Sequence, residues 1–117
     1  MPSVPEIEVV YLGHDNSINL QLSADDTPLT DEQMDAITKI QCKLAGSTFE
    51  TLAADRATGV IRWGQSSYAA GEIRLFLGDQ VLIPSKLAQK AWIIVYDATN
   101  DDGIVWGYVP IQVHAAV

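Results

Sequence analysis

The chain has 117 residues, enough for one domain with a core of its own and too few for two ordinary domains. Hydrophobic residues make up 48% and charged residues 19%, a balance that excludes a disordered chain and favours a globular fold. The 15 acidic residues outnumber the 7 basic residues and give a net charge of −8, and this negative field argues against nucleic acid as a partner.

The cysteine content and the N-terminal sequence indicate the compartment. Cys42 is the single cysteine, so the fold must depend on packing rather than on an intramolecular disulfide. The first residues, MPSVPEIEVV, lack a basic segment followed by an apolar stretch, and we therefore expect no signal peptide. No apolar run approaches the ~20 residues of a membrane span, so we expect no membrane contact. Synthesis in a cytoplasm follows from these expectations.

The N-terminal part of the chain predicts an extended arm followed by two strands. Residues 1–5 contain Pro2 and Pro5, which favour an extended backbone, and they form the arm of a single domain spanning residues 1–117. Apolar and polar residues then alternate with a period of two in residues 6–12 and again in residues 17–23. The side chains predicted to face inward are Ile7, Val9, Tyr11, Ile18, Leu20 and Leu22.

A short helical turn and a third strand are expected next. Thr30 is followed three residues later by Gln33, the pattern of a capping box, and the helical turn should end near Ala36. From Thr38 to Gly46 the period returns to two, which predicts a strand. Its inner face should hold Ile40, Cys42 and Leu44, and its solvated face Lys39, Gln41 and Lys43.

The segment between residues 47 and 90 predicts short strands separated by loops. We expect a weak strand over residues 47–52, a brief strand over 60–63 and an alternating strand over 72–77. The alternating strand directs three apolar side chains inward: Ile73, Leu75 and Leu77. Residues 81–90 include a proline and predict a loop with a helical turn over residues 85–89.

The most apolar stretch, residues 91–113, predicts a β-hairpin. Two runs rich in Ile, Val, Trp and Tyr flank the turn-forming residues 97–103. Symmetric closure places three pairs on one mainly aromatic face: Trp92 with Tyr108, Ile94 with Trp106, and Tyr96 with Ile104. The opposite face then carries Ile93, Val95, Val105, Gly107 and Val109. Pro110 predicts a bend in the last strand or a position at a sheet edge.

Together these elements predict an all-β fold. About eight short strands, at intervals of roughly 10 residues and joined by glycine-bearing turns, indicate a two-layer antiparallel immunoglobulin-like β-sandwich with one short helical turn. A sheet in such a sandwich has one inward face, so the hairpin buries either its aromatic or its aliphatic set. The sequence leaves this choice open. The remaining face needs a cover, supplied by the chain or by a partner.

The hairpin loop offers oxygen ligands of the kind that calcium prefers: Asp97, Asn100, Asp101 and Asp102. The register does not fit a calcium loop. When Gly103 takes the glycine position, Ala98 becomes the first ligand position, and no Glu follows at the closing position. We therefore predict that these residues form a turn and that the chain binds no metal.

The remaining candidates for chemistry are isolated. His14, Asp15 and Ser17 are the residue types of a hydrolase triad, but neighbours within one turn rarely converge, and the chain has no nucleophile elbow. His114 has no sequence neighbours that would make a metal site with His14. Cys42 falls on an inward strand position, which predicts a buried, inert thiol. We expect neither a cofactor nor enzymatic activity.

The aromatic residues fit either a stacking platform for sugars or a core with a protein contact. They are Tyr11, Trp63, Tyr68, Trp92, Tyr96, Trp106 and Tyr108. Several lie on the hairpin, where burial is expected, and an exposed hairpin face would bind a partner through aromatic anchors. The candidate partner-binding residues are Trp92, Tyr96, Trp106 and Tyr108.

Five segments carry a resemblance to known proteins: DNSINLQL at residues 15–22, GVIRW at 59–63, GEIRL at 71–75, IVYDATN at 94–100 and GIVWG at 103–107. Their layout resembles the small immunoglobulin-like decoration, head-fibre and baseplate-adaptor proteins of tailed-bacteriophage virions. The resemblance implies a non-enzymatic structural protein of the virion, assembled in the host cytoplasm. It would contact a capsid or tail protein, copies of itself, or both. A carbohydrate-binding or adhesin module is the alternative, and a small hydrolase is a more distant one.

Overall fold

The computed structural model describes residues 7–80, 82, 84 and 86–115, and the expectation of an all-β fold is confirmed. The strands are β1 (Glu8–Tyr11), β2 (Ile18–Gln21), β3 (Ser23–Ala24), β4 (Thr27–Pro28), β5 (Ile37–Leu44), β6 (Ser47–Leu52), β7 (Ile61–Trp63), β8 (Glu72–Leu75), β9 (Gln89–Asp97) and β10 (Ile104–His114). A short helix, α1 (Asp31–Asp35), precedes β5, and a 3-10 turn (Ala53–Asp55) follows β6. The arm assigned to residues 1–5 lies outside the described residues.

The strands form a five-stranded sheet and a three-stranded sheet. The larger sheet has the order β1-β10-β9-β5-β6 and the smaller sheet the order β2-β8-β7, while β3 pairs with β4. The ladder between β1 and β10 is parallel, so the expectation of purely antiparallel sheets is wrong at this edge. The reason is connectivity. The chain passes from β1 in the larger sheet to β2 in the smaller one, and no hairpin imposes an antiparallel ladder on β1 and β10.

The inner faces of the two sheets meet in one buried cluster. The larger sheet contributes Val10, Ile40, Cys42, Leu44, Ile93, Val95, Val109, Ile111 and Val113. The smaller sheet and the residues next to it contribute Ile18, Leu22, Ile61, Trp63, Ile73, Leu75 and Leu77. The inner faces predicted for residues 38–46 and 72–77 are therefore confirmed.

The phase predicted for β1 is wrong. Val10 is 1% exposed and pairs with Val113, whereas Ile7 and Tyr11, two of the residues predicted to face inward, are exposed. The period of two is present, but the adjacent Val9 and Val10 leave its phase ambiguous. Pairing with β10 resolves the ambiguity, because a shift of one residue turns every side chain to the other face.

The capping box at α1 is confirmed. The Thr30 hydroxyl accepts from the Gln33 N–H at 3.2 Å, and the Gln33 side-chain oxygen accepts from the Thr30 N–H at 2.9 Å. The helix ends at Asp35 with Ala36 as its C-cap, close to the predicted end, and Met34 is its buried residue. Because a helix this short is marginal alone, packing of Met34 on the core keeps it in place.

The predicted hairpin is formed by β9 and β10, with a β-bulge that the sequence did not indicate. Trp92 lies opposite Tyr108, as predicted. A shift between Val105 and Gly107 inserts Trp106 as an extra residue, so the other two predicted pairings are wrong. The observed pairs are Val105 with Ile94 and Ile104 with Val95.

One of two expectations for the segments around the hairpin is corrected, the helical turn over residues 85–89. Among the described strands, Pro110 has a partner strand on one side only, which agrees with the expected position at a sheet edge. β10 continues through Pro110, which lies one residue before the part of β10 that pairs with β1. No described strand needs an N–H from Pro110 on that side, which is why the strand tolerates it. The helical turn predicted over residues 85–89 is absent from its described part, residues 86–89, because β9 already begins at Gln89.

Candidate functional site

The side chains that point outward from β5, β6, β9 and β10 form three rows across the larger sheet. These rows, together with Lys90 and Pro110 beyond the last of them, are the outer face. The rows are Leu52–Lys39–Tyr96, Glu50–Gln41–Ile94–Val105 and Thr48–Lys43–Trp92–Tyr108. The hairpin thus buries Ile93, Val95 and Val109 of its aliphatic set. Val105 instead lies on the outer face with the aromatic side chains of Trp92, Tyr96 and Tyr108.

An aromatic pair lies at one end of the outer face. Trp92 is 39% exposed and Tyr108 is 42% exposed, and their ring centroids are 5.0 Å apart with the planes inclined at 55°. The Lys90 ammonium lies 4.7 Å from the Tyr108 centroid and 5.8 Å from that of Trp92, within cation–π range. Lys90 therefore covers the pair in part and leaves both rings accessible.

The other end of the outer face is a hydrogen-bonded network. The Tyr96 hydroxyl donates to the Gln41 side chain at 2.7 Å, and the Gln41 amide donates to the Glu50 carboxylate at 2.7 Å. The Lys39 ammonium lies 3.3 Å from the same carboxylate and 4.2 Å above the Tyr96 ring. The hydrogen bond from Gln41, followed by that from Lys39, lowers the pKa of Glu50. These polar groups thus bond to one another within the chain.

The hairpin loop folds against this network. Gly103 has φ +87°, and a Cβ there would lie 2.7 Å from Ile94 Cγ2 and 2.7 Å from Tyr96 Cε2. Both the positive φ and the close approach require glycine. Gly103 therefore allows the loop to pack closely against Ile94 and Tyr96 at the edge of the outer face.

Trp106 lies apart from Trp92 and Tyr96 but lines a groove that Tyr108 also lines. The bulge turns it toward the inner side, where it is half-buried and packs against the core cluster. It lines a groove of about 230 Å³ with Leu20, Leu22, Ile93 and Val109. Three of the four candidates, Trp92, Tyr96 and Tyr108, share the outer face. Sequence reasoning could not separate Trp106 from them, because a bulge has no reliable period signal.

The loop with the calcium-like composition is closed by its own hydrogen bonds. One oxygen of Asp97 accepts from the N–H groups of Thr99 at 2.9 Å and Asn100 at 2.7 Å, and from the Asn100 side chain at 3.0 Å. These bonds, led by the backbone N–H of Asn100, lower the pKa of Asp97. Among the described residues, no group of three or more His, Cys, Asp or Glu could hold a metal ion.

The turn that contains His14 is organised by Asn16, which sequence reasoning passed over. The Asn16 amide donates to the carbonyls of Tyr11 at 2.9 Å and His14 at 2.7 Å. The Ser17 hydroxyl donates to the Asn19 side chain at 3.0 Å rather than to a base. An asparagine in a turn cluster was the available signal, since Asn side chains commonly bond to nearby backbone.

Two further candidates from the sequence lie apart from the outer-face rows. Cys42 is buried as predicted, and desolvation raises the pKa of its thiol to about 12, which keeps the thiol protonated and unreactive. His114 packs against Tyr11 with ring centroids 5.3 Å apart, and this contact fastens β1 to β10. Neither residue meets a second group of the kind that nucleophilic catalysis needs.

A polar cleft of about 220 Å³ lies beside α1, a feature that the sequence did not indicate. Three of its four charged side chains, Asp35, Arg56 and Glu72, are paired within the chain. Arg56 donates to Asp35 at 2.9 Å, and Glu72 accepts from Arg74. None of the helices in the described part of the chain has the length and apolarity needed to span a membrane.

Comparison with known proteins adds no relative. No protein-family model and no curated protein matches the sequence. The function proposed below therefore depends on the residues of this chain and on the resemblance of the segments quoted above.

Proposed function

We propose that this chain is a non-enzymatic structural protein of a tailed-phage particle, located on the capsid or the tail. It acts through protein contacts made by the outer face. The observation that carries the proposal is the accessible pair Trp92 and Tyr108 beside Val105, which is 61% exposed. Accessible aromatic residues on a sheet face are typical anchors of protein interfaces.

The strand order supports the finer fold assignment, an immunoglobulin-like sandwich. Immunoglobulin-type domains place strands B, E and D in one sheet and G, F and C in the other, and variable-type domains add C′ beside C. The order β2-β8-β7 in the smaller sheet and β10-β9-β5-β6 in the larger one corresponds to this arrangement. The phage proteins that the five segments resemble are sandwiches of the same type.

The size of the apolar area fits the centre of an interface. The exposed fractions of Trp92, Tyr108 and Val105 correspond to roughly 300 Å² of apolar surface, at the lower end of the largest patches on monomers. A specific protein interface buries about 800 Å² on each partner. The three residues therefore supply the anchor, and the lysines and polar groups of the outer face supply the rim.

The geometry of the aromatic pair favours protein over sugar. A sugar ring stacks on one flat aromatic surface, whereas the Trp92 and Tyr108 rings are inclined at 55° and Lys90 covers part of both. Two nucleophile candidates support a non-enzymatic role: Ser17 donates its hydrogen bond to Asn19, and the Cys42 thiol stays protonated.

Co-sedimentation with phage particles tests the proposal. Particles are purified from a phage whose copy of this gene has been deleted, and the purified protein is added back. We expect the wild-type protein to sediment with the particles in a fixed ratio. Trp92→Ser should lose this binding and keep its melting temperature, because Trp92 lies outside the core.

Tyr11→Ser is the matched control, since Tyr11 is a similarly exposed aromatic residue, at 43%, outside the rows. It should bind as well as wild type. A wild-type protein that does not sediment with the particles contradicts the virion role. Binding to a glycan array that Trp92→Ser abolishes would instead establish the carbohydrate alternative.

A further inference from the structure

The lysines of this chain are concentrated on one side of the molecule. Of its four lysines, Lys39, Lys43 and Lys90 belong to the outer face, and Lys86 lies shortly before β9. Glu50 is the one carboxylate within the three rows. The outer face therefore carries three lysines against one glutamate, in a chain whose net charge is −8. Because this distribution opposes the charge of the whole chain, it sets the outer face apart.

The three lysines differ in what they contact. Lys39 is paired with Glu50 at 3.3 Å, and Lys90 lies over the aromatic pair. Lys43 is exposed beside Trp92 and has neither an ion pair nor a ring contact among the described residues. Two cations, Lys43 and Lys90, thus flank the aromatic anchor, and no carboxylate in the described part of the chain pairs with them.

We propose that the outer face binds an acidic protein surface. Trp92 and Tyr108 become buried at the centre of this contact, and Lys43 and Lys90 pair with carboxylates of the partner. The inference rests on the proposed function and names the chemistry of the partner. Complementary charge selects the partner and its orientation, and a basic surface would place like charges next to Lys43 and Lys90.

Charge also distinguishes this partner from two other occupants. A nucleic acid extends beyond one face and would meet the acidic remainder of the chain, which repels phosphates. A second copy packed face to face would bring together two patches that each carry three lysines and one glutamate, since such an interface uses the same patch on both subunits. An acidic protein patch avoids both conflicts.

Binding to the gene-deleted particles, measured as a dissociation constant at low and high salt, tests the inference. Lys43→Glu should weaken binding by about 30-fold and Lys43→Gln by about 5-fold, because the first variant adds repulsion to the lost pair. Raising NaCl from about 50 to about 500 mM should weaken wild-type binding by roughly tenfold and Lys43→Gln less. Lys86→Glu makes the same charge change outside the rows and should shift binding less than about twofold.

Each other outcome overturns the inference in a distinguishable way. Binding that neither salt nor Lys43→Glu affects keeps the virion role and removes the acidic partner. Absence of any wild-type binding removes the virion role itself. Self-association in sedimentation velocity, abolished by Lys43→Glu, would assign the face to a second copy. Binding of a DNA duplex, abolished by the same variant, would assign it to nucleic acid.

Discussion

The aromatic rings on the outward sides of the two sheets differ in how far they are exposed. On the smaller sheet the Arg62 guanidinium lies 3.9 Å from the Phe76 ring centroid, and the Arg74 guanidinium lies 4.1 Å from that of Tyr68. Both rings are half-buried. On the larger sheet Trp92 and Tyr108 remain exposed beneath Lys90. The two arginines lie over half-buried rings, whereas Lys90 leaves Trp92 and Tyr108 accessible.

A planar guanidinium stacks on a ring and can still bond to its surroundings, whereas an ammonium is a compact, hydrated point charge. Arg62 illustrates this, because its Nε donates to the Gly59 carbonyl at 2.9 Å while the group lies over Phe76. The arginines and aromatic rings on the outward side of the smaller sheet thus contact one another within the chain. On the outer face of the larger sheet, Trp92 and Tyr108 stay accessible to solvent.

Substitutions at adjacent residues of β9 give the largest effect and test which side of the larger sheet is core. Ile93 is 4% exposed and Trp92 is 39% exposed. Ile93→Ala should cost about 2–5 kcal/mol of unfolding free energy, since it removes a buried side chain and leaves a cavity. Trp92→Ala should cost less than about 1 kcal/mol. Urea denaturation followed by circular dichroism measures both, and equal losses would mean that Trp92 belongs to the core.

Much of the fold follows from local patterns in the sequence. Alternation with a period of two indicated the buried side of β5, including Cys42, because side chains of a strand alternate between its faces. The capping box indicated α1, because Thr30 and Gln33 bond only to their own segment. The pairing of Trp92 with Tyr108 was also predicted, but it does not follow from the loop alone. The loop joins β9 to β10 one residue away from symmetric closure, and the extra residue Trp106 restores the predicted pair beyond the bulge.

Features that depend on distant segments escaped sequence reasoning. The phase of β1 was ambiguous at two adjacent valines and is set by the parallel ladder with β10. The bulge at Trp106 changes which side chains share the outer face, and no local period reports it. The cluster of lysines around Trp92 arises only when β5 and β9 pair. The sequence therefore indicated several residues of the candidate site but not the surface that they form together.

Removing one cation from each sheet should change the free energy of unfolding less, and it tests whether the outward sides of the two sheets differ. Arg74→Ala breaks the ion pair with Glu72 and uncovers Tyr68, so it should cost about 1 kcal/mol of unfolding free energy. Lys90→Ala should cost only a few tenths of a kcal/mol, because exposed cation–π contacts are weak. Thermal and urea unfolding of the two variants compare them directly. A larger loss for Lys90→Ala would show that the outer face is as self-contained as the smaller sheet.

The smallest effect is on the acid side of the stability profile. The hydrogen bond from Arg74, followed by that from the Ala69 N–H, holds the pKa of Glu72 below its ordinary value of 4.5. A lowered folded-state pKa means that this stabilisation is fully present above the unfolded pKa and is lost as the pH falls through the folded one. The urea midpoint of the wild-type protein should therefore decrease as the pH is lowered from about 5 to about 3. Glu72→Gln should make this decrease smaller.

Glu50→Gln is the matching variant on the larger sheet, where Gln41 and then Lys39 lower the pKa of Glu50. Its influence should be smaller than that of Glu72→Gln, because Glu50 is the more exposed of the two and solvent screens its interactions. An acid profile that Glu50→Gln flattens more than Glu72→Gln does would reverse the contrast. The carboxylate in the polar network of the outer face would then contribute more to stability than the carboxylate on the smaller sheet.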